Sequence, residues 1–146
     1  MGLPLHPLVI HAAVVFIPLL VLVALGYALV PRLRSHLGWV AVVLAVVAPL
    51  SALAAKITGD AFRARLARIT PNARFDLIDE HRSLGTLTLY VTIVLGLLTL
   101  ALVLIRRRPA VLNALLVIAI VLASAATGYY VFRSGDTAAR IVWTGF

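Results

Sequence analysis

The sequence predicts an all-α protein, a four-helix transmembrane bundle made of two repeated helical hairpins with short interfacial helices beside them. Three observations carry that expectation. Of the 146 residues, 63% are hydrophobic and 12% are charged, against roughly 45–50% and about 25% in an ordinary soluble domain. The apolar residues gather into four runs, each near or above the about 20 residues that a helix needs to cross hydrocarbon. None of the runs alternates polar and apolar positions as the strands of a membrane barrel do, and a helix satisfies all its backbone groups internally.

The first run, residues 9–30, follows Pro7 and stops at Pro31, Arg32 and Arg34. Residues 1–7 contain no Lys or Arg, unlike the basic leader of a cleaved signal peptide, so a retained helix is expected. Residues 37–57 form the second run, with Ser35 as the expected N-cap and Lys56, Thr58, Gly59 and Asp60 at its end. The third, 83–105, stops at Arg106, Arg107, Arg108 and Pro109, and the fourth, 110–132, at Arg133, Ser134, Gly135 and Asp136. Together they make one membrane domain, 1–146. Pro18 and Pro49 fall in mid-run, where each removes a backbone donor and predicts a kink.

Small residues in the second run, Gly38, Ala41, Ala45, Ala48, Ala52, Ala55 and Gly59, recur in steps of three and four. They form one seam on one face, and close backbone approach through small residues is a main source of helix association in lipid. The second helix is therefore expected to be central. Gly85, Thr88 and Thr92 make a similar stripe in the third run, and His81 lies one turn before Gly85 on the same face, pointing into the bundle.

Four crossings put the N-terminus, the loop 58–80 and the C-terminal tail on one membrane face, and two short Arg-rich loops on the other. Density of basic residues near the helix ends places the short loops inside a bacterial cell membrane and both termini on its outer face. The net charge of +8 flanks apolar runs, which points to anionic lipid headgroups as partners and not to nucleic acid. Phe62, Leu66 and Ile69 recur at helical spacing, with Arg63, Arg65 and Arg68 elsewhere around the turn, as in a helix lying among headgroups until Pro71 and Asn72 break it. The tail, with Trp143, is the second candidate of that kind. A weak internal repeat pairs His11 with Thr58-Gly59 and His81 with Thr127-Gly128, at separations of 47 and 46 residues.

The chemistry-bearing groups gather at one rim: His6, His11, Asp60, Asp79, Glu80 and His81, with Arg63, Arg65 and Arg82 near them, while His36 lies opposite. A histidine inside a membrane segment is costly and is usually paired or liganding. His11 and His81 on facing helices match the axial-ligand pattern for haem b, with Arg63 and Arg82 to meet its propionates. A divalent metal held by His6, His11, His81, Asp60 and Glu80, or some of them, is the leaner alternative. His6 and His11 are five apart and do not share a helical face, which places His6 in the turn before the helix. The competing structural reading is that His11 hydrogen-bonds Asp60 or Glu80 and merely closes the helix ends.

Several classes are excluded. The chain has no cysteine, which removes disulfides, thiolate metal sites and cysteine-ligated clusters. Only His36 lies near the other face, so two stacked bis-histidine haems lack ligands. No run has a carboxylate in its core, as a proton-coupled transporter would. Ser35, Ser51, Ser83, Ser124 and Ser134 lack any motif that would set them beside a base.

With these residues in view, the chain resembles a family of small four-helix bacterial membrane proteins, many actinobacterial, catalogued as a domain of unknown function. Its members open with His-Pro-x-x-x-His, here His6, Pro7 and His11. The resemblance runs on through Thr58-Gly59 and His81-x-x-x-Gly85 to a tail containing Gly135, Ala139 and Trp143. The chain departs from the pattern at Ala12 and Ala13, where relatives have Phe-Pro, and at Asp136, where many have histidine. The resemblance implies a membrane location and, since some relatives look fused to Rieske-type domains, redox or assembly partners; it implies no activity, and the departure at Asp136 counts against a three-histidine site. The function expected is a non-enzymatic accessory or structural component of a membrane assembly. A haem or metal-binding redox protein and a transporter subunit are the alternatives.

Overall fold

A computed structural model describes residues 5–70 and 73–144 of the chain. The elements are α1 (Leu5–Leu29), a 3-10 turn (Pro31–Leu33), α2 (Arg34–Ile69), α3 (Phe75–Leu104) and α4 (Ala110–Thr144). All four helices are long and apolar enough to cross a membrane. α1 packs along α2 and α3 along α4, α2 and α3 meet in a central seam, and α1 and α4 close the bundle.

The helices outrun their apolar stretches. At about 1.5 Å per residue, the 36 residues of α2 extend about 54 Å, well beyond the about 30 Å of hydrocarbon in a bilayer. Residues 62–69 and the tail are therefore not separate interfacial helices but continuations of α2 and α4, which corrects that expectation. Polar residues end a hydropathy run without ending a backbone ladder: the Thr58 hydroxyl donates back to the Ala54 carbonyl at 2.8 Å and the helix passes through. Phe62 and Leu66 turn inward to a small second core with Ala73, Phe75, Ile78 and Ile141, while Ile69 and Trp143 are exposed. The expected break at Pro71 and Asn72 lies outside the described residues.

The opposite ends are closed by arginine. Arg34 donates to the carbonyls of Tyr27 at 2.9 Å and Ala28 at 3.1 Å, and Arg108 donates to those of Leu102 at 2.7 Å and Ile105. These are carbonyls near the ends of α1 and α3, where the helix supplies no partner to the last four. α2 starts one residue before Ser35, whose hydroxyl pairs with His36 Nδ1 at 3.0 Å and caps nothing.

The alanine seam of α2 is as expected, with Ala41, Ala45, Ala48 and Ala52 buried, but α3 is at least as enclosed. Its stripe of Thr88 and Thr92 continues through Gly96 and Thr99, all buried. Each threonine hydroxyl donates to the carbonyl four residues back, so the interior holds no orphan there. Among the described residues, Ser124 Oγ alone is buried without a partner.

The two hairpins repeat. Buried Ala13, Ile17, Leu20 and Ala24 of α1 correspond to buried Thr88, Thr92, Leu95 and Thr99 of α3 at a shift of about 75 positions, and Leu29 and Leu104 end the two helices. Leu44 and Ala48 of α2 correspond to Ile120 and Ser124 of α4 at a shift of about 76. The register differs from the expected one. Thr127 is fully buried well inside α4, and the counterpart of Thr58-Gly59-Asp60 is Ser134-Gly135-Asp136.

Candidate functional site

The end of the bundle that holds the helix extensions brings two imidazoles together, and they are those of His6 and His81. Their ring centroids lie 6.4 Å apart with planes at 68°. His6 lies in the first turn of α1, not before the helix. It is seven residues before buried Ala13, hence on the inward face, whereas His11, two residues before Ala13, faces outward. His11 is exposed, and its Nδ1 donates to its own helix at the Pro7 carbonyl, 2.6 Å away. The pairing of His11 with His81 is thus corrected to His6 with His81.

Each inward imidazole is held by its own hairpin. His6 Nδ1 is 3.2 Å from Thr58 Oγ1. That hydroxyl already donates to the Ala54 carbonyl, so the ring nitrogen is the donor. His81 Nδ1 is 3.0 Å from the Ser134 carbonyl, which can only accept, and 3.3 Å from Thr137 Oγ1. The partners therefore assign the Nδ1–H form to both rings and leave both Nε2 atoms uncommitted. Phe62 stacks on His6 with centroids 6.2 Å apart, and a Cβ on Gly59 would lie 3.0 Å from His6 Cε1. Both histidines lie outside the four apolar stretches. Burial lowers the pKa of each, with the nearness of His81 a second cause at His6; at His81 the hydrogen bond to the Ser134 carbonyl opposes it.

The charged residues at this rim bind one another. Asp60 accepts from Lys56 and Arg82, each at 2.6 Å. Arg63 grips Asp79 through two hydrogen bonds, one of 2.8 Å, and stacks its guanidinium over Phe75 at 5.6 Å. Glu80 lies 3.5 Å from Arg133. Asp60 and Glu80, expected as metal ligands, are thus spoken for, and so are Arg63 and Arg82, expected at haem propionates. Among the described residues no three His, Asp or Glu side chains are grouped to hold a metal ion; of the five expected ligands, the structure sets the imidazoles of His6 and His81 side by side.

Hydrogen bonds from Lys56 and Arg82 hold the Asp60 carboxyl below the usual carboxylate range, and hydrogen bonding by Arg63 does the same for Asp79. A depressed carboxyl pKa stabilises the fold above the unfolded value and loses that contribution as pH falls through the folded one. The tie between α2 and α3 should therefore be complete at neutral pH and loosen only below about pH 3.9. Both pairs are partly exposed and screened, so the effect is small. We expect a modest fall in melting temperature as pH drops below about 4, larger at low salt and reduced in Asp79→Asn; a fall unchanged in that variant would assign the effect elsewhere.

An all-helical bundle with four helices of spanning length defines a multi-pass membrane protein. The chain belongs to the family described as Predicted membrane protein (DUF2231), which matches residues 2–145. No curated protein and no solved structure matches it.

Proposed function

We propose that the chain is a non-enzymatic accessory component of a bacterial cell-membrane assembly, and that its chemical centre is the His6–His81 pair, holding one transition-metal ion through the two Nε2 atoms. The observation that carries this reading is the commitment of both Nδ1–H groups to oxygen acceptors within their own hairpins. Metal-binding histidines use their second nitrogen in this way, because it fixes the ring and raises the basicity of the ligating nitrogen. Neutral nitrogen donors without carboxylates suit copper, zinc, iron or nickel over magnesium or calcium. The other coordination positions are open to water or to a ligand from a membrane partner. A bare ion is favoured over haem because Phe62 stacks on His6 and both candidate propionate partners are engaged in ion pairs. The short arginine loops would face the cytoplasm, leaving the histidine rim outside.

Metal analysis of the purified protein after loading with copper or zinc and exhaustive dialysis tests this. One ion per chain is expected, lost in His6→Ala and in His81→Ala and kept in His11→Ala. Metal-free unmodified protein would overturn the proposal, as would dependence on His11 and not His6. A Soret band that requires both inward histidines would replace the bare ion with haem.

A further inference from the structure

We propose that the rim opposite the histidines binds the phosphate of an anionic phospholipid headgroup. A cleft of about 710 Å³ opens there between the two hairpins, lined by Tyr27, Arg34 and Trp39 from one and by Leu102, Arg106 and Arg108 from the other. Basic pockets between transmembrane helices at the membrane surface are sites where phosphorylated headgroups dock.

The charge distribution separates this rim from the other. All five acidic residues, Asp60, Asp76, Asp79, Glu80 and Asp136, belong to the histidine end, where every ion pair among the described residues is found. Arg32, Arg34, Arg106, Arg107 and Arg108 therefore face no carboxylate of their own chain, and their counter-charge must come from the surroundings. Two of them are already positioned. Arg34 and Arg108 are held by the carbonyls they cap, while Arg34 Nη1 and Arg108 Nη2 make no hydrogen bond among the described residues. The Arg106 guanidinium makes none at all there. A guanidinium fixed on one edge with donors free on another is pre-organised for a phosphate oxygen.

The rest of the lining favours lipid over a free anion. Trp39 is 72% exposed at the level where aromatic rings gather at the membrane–water boundary. Val42 and Val103 extend the cleft as an apolar wall, along which an acyl chain can run while its phosphate stays among the arginines. A site for inorganic phosphate would gain nothing from that wall.

Trp39 reports on its own site. The chain has two tryptophans, so Trp143→Phe leaves Trp39 as the sole emitter. In this background, reconstituted in phosphatidylcholine vesicles, brominated phosphatidylglycerol should quench Trp39 at several-fold lower mole fraction than brominated phosphatidylcholine. Arg106→Gln, which breaks no internal hydrogen bond, should remove most of that preference, and Arg65→Gln at the other rim should leave it intact. Equal quenching by the two brominated lipids, or a preference indifferent to Arg106→Gln, would overturn the proposal. Loss of the preference on adding millimolar inorganic phosphate would overturn the lipid assignment and make the cleft a site for the free anion.

Discussion

Gly96→Leu is expected to part α2 from α3 and to destabilise the bundle by about 1–3 kcal/mol, the usual cost of forcing extra atoms into a packed core. Pro49 has no N–H to offer the Ala45 carbonyl, which a continuous helix would satisfy from that position. The neighbouring helix compensates by coming close: a Cβ built on Gly96 would lie 2.6 Å from Ala45 O and 3.2 Å from Pro49 Cγ. Only a residue without a side chain lets α3 cover that carbonyl, and a Cα–H···O contact across helices is worth about 0.5–1 kcal/mol. Obstructing a backbone oxygen leaves no flexible atom to yield, so Gly96→Ala should already be harmful, though less so. Gly85→Leu is the control, because nothing lies within 4 Å of a Cβ there. Unfolding in mixed micelles of increasing SDS content, followed by circular dichroism, should rank the variants Gly85→Leu, Gly96→Ala, Gly96→Leu in order of increasing loss. A Gly96→Leu protein as resistant as the unmodified one would mean that the seam can open without penalty.

Gly59→Val should strike the imidazole pair and spare the fold. Its first added carbon falls 3.0 Å from His6 Cε1 and 3.3 Å from His6 Nδ1, and the β-branch adds more, so the ring must leave the Thr58 hydroxyl. If the pair holds an ion as proposed, losing that orienting hydrogen bond should weaken it about 10–100-fold, while helix content stays unchanged. Thr58→Val, which removes the acceptor without pushing the ring, should give a smaller loss in the same direction. Calorimetric titration with zinc or copper separates the cases. Unaltered binding by Gly59→Val would show that the position of His6 does not govern the ion.

Much of the architecture was legible in the sequence because lipid imposes simple rules on length and polarity. The four runs, the alanine seam of α2 and the inward aim of His81 follow from hydropathy and helical spacing alone. The helix ends did not follow, since polarity changes at Lys56 and Asp60 while the backbone ladder continues to Ile69. The choice between His6 and His11 was not within reach: α1 is apolar on every side, and only burial in the bundle marks Ala13, Ile17, Leu20 and Ala24 as its inner face, from which stepping back seven residues lands on His6. Depth along the run drew attention to His11 instead. Gly96 was available, one turn beyond Thr92 on a stripe that stops too early if it is ended there. Thr58, Ser134 and Thr137 as partners of the rings, and the pairings of Arg63 with Asp79 and Arg82 with Asp60, were not legible. They depend on how far one helix slides against another, which spacing within a single helix does not encode.

The polar ties between the hairpins give the molecule a mechanical polarity. Arg63 to Asp79 and Arg82 to Asp60 both fasten the two halves at the end where residues 70–74 join them. At the far end the halves share no ion pair among the described residues, and the arginine-lined cleft divides them. The two halves are thus fastened by charge at one end, and among the described residues no hydrogen bond or ion pair joins them at the other, where apolar packing such as that of Gly96 against Ala45 holds them together.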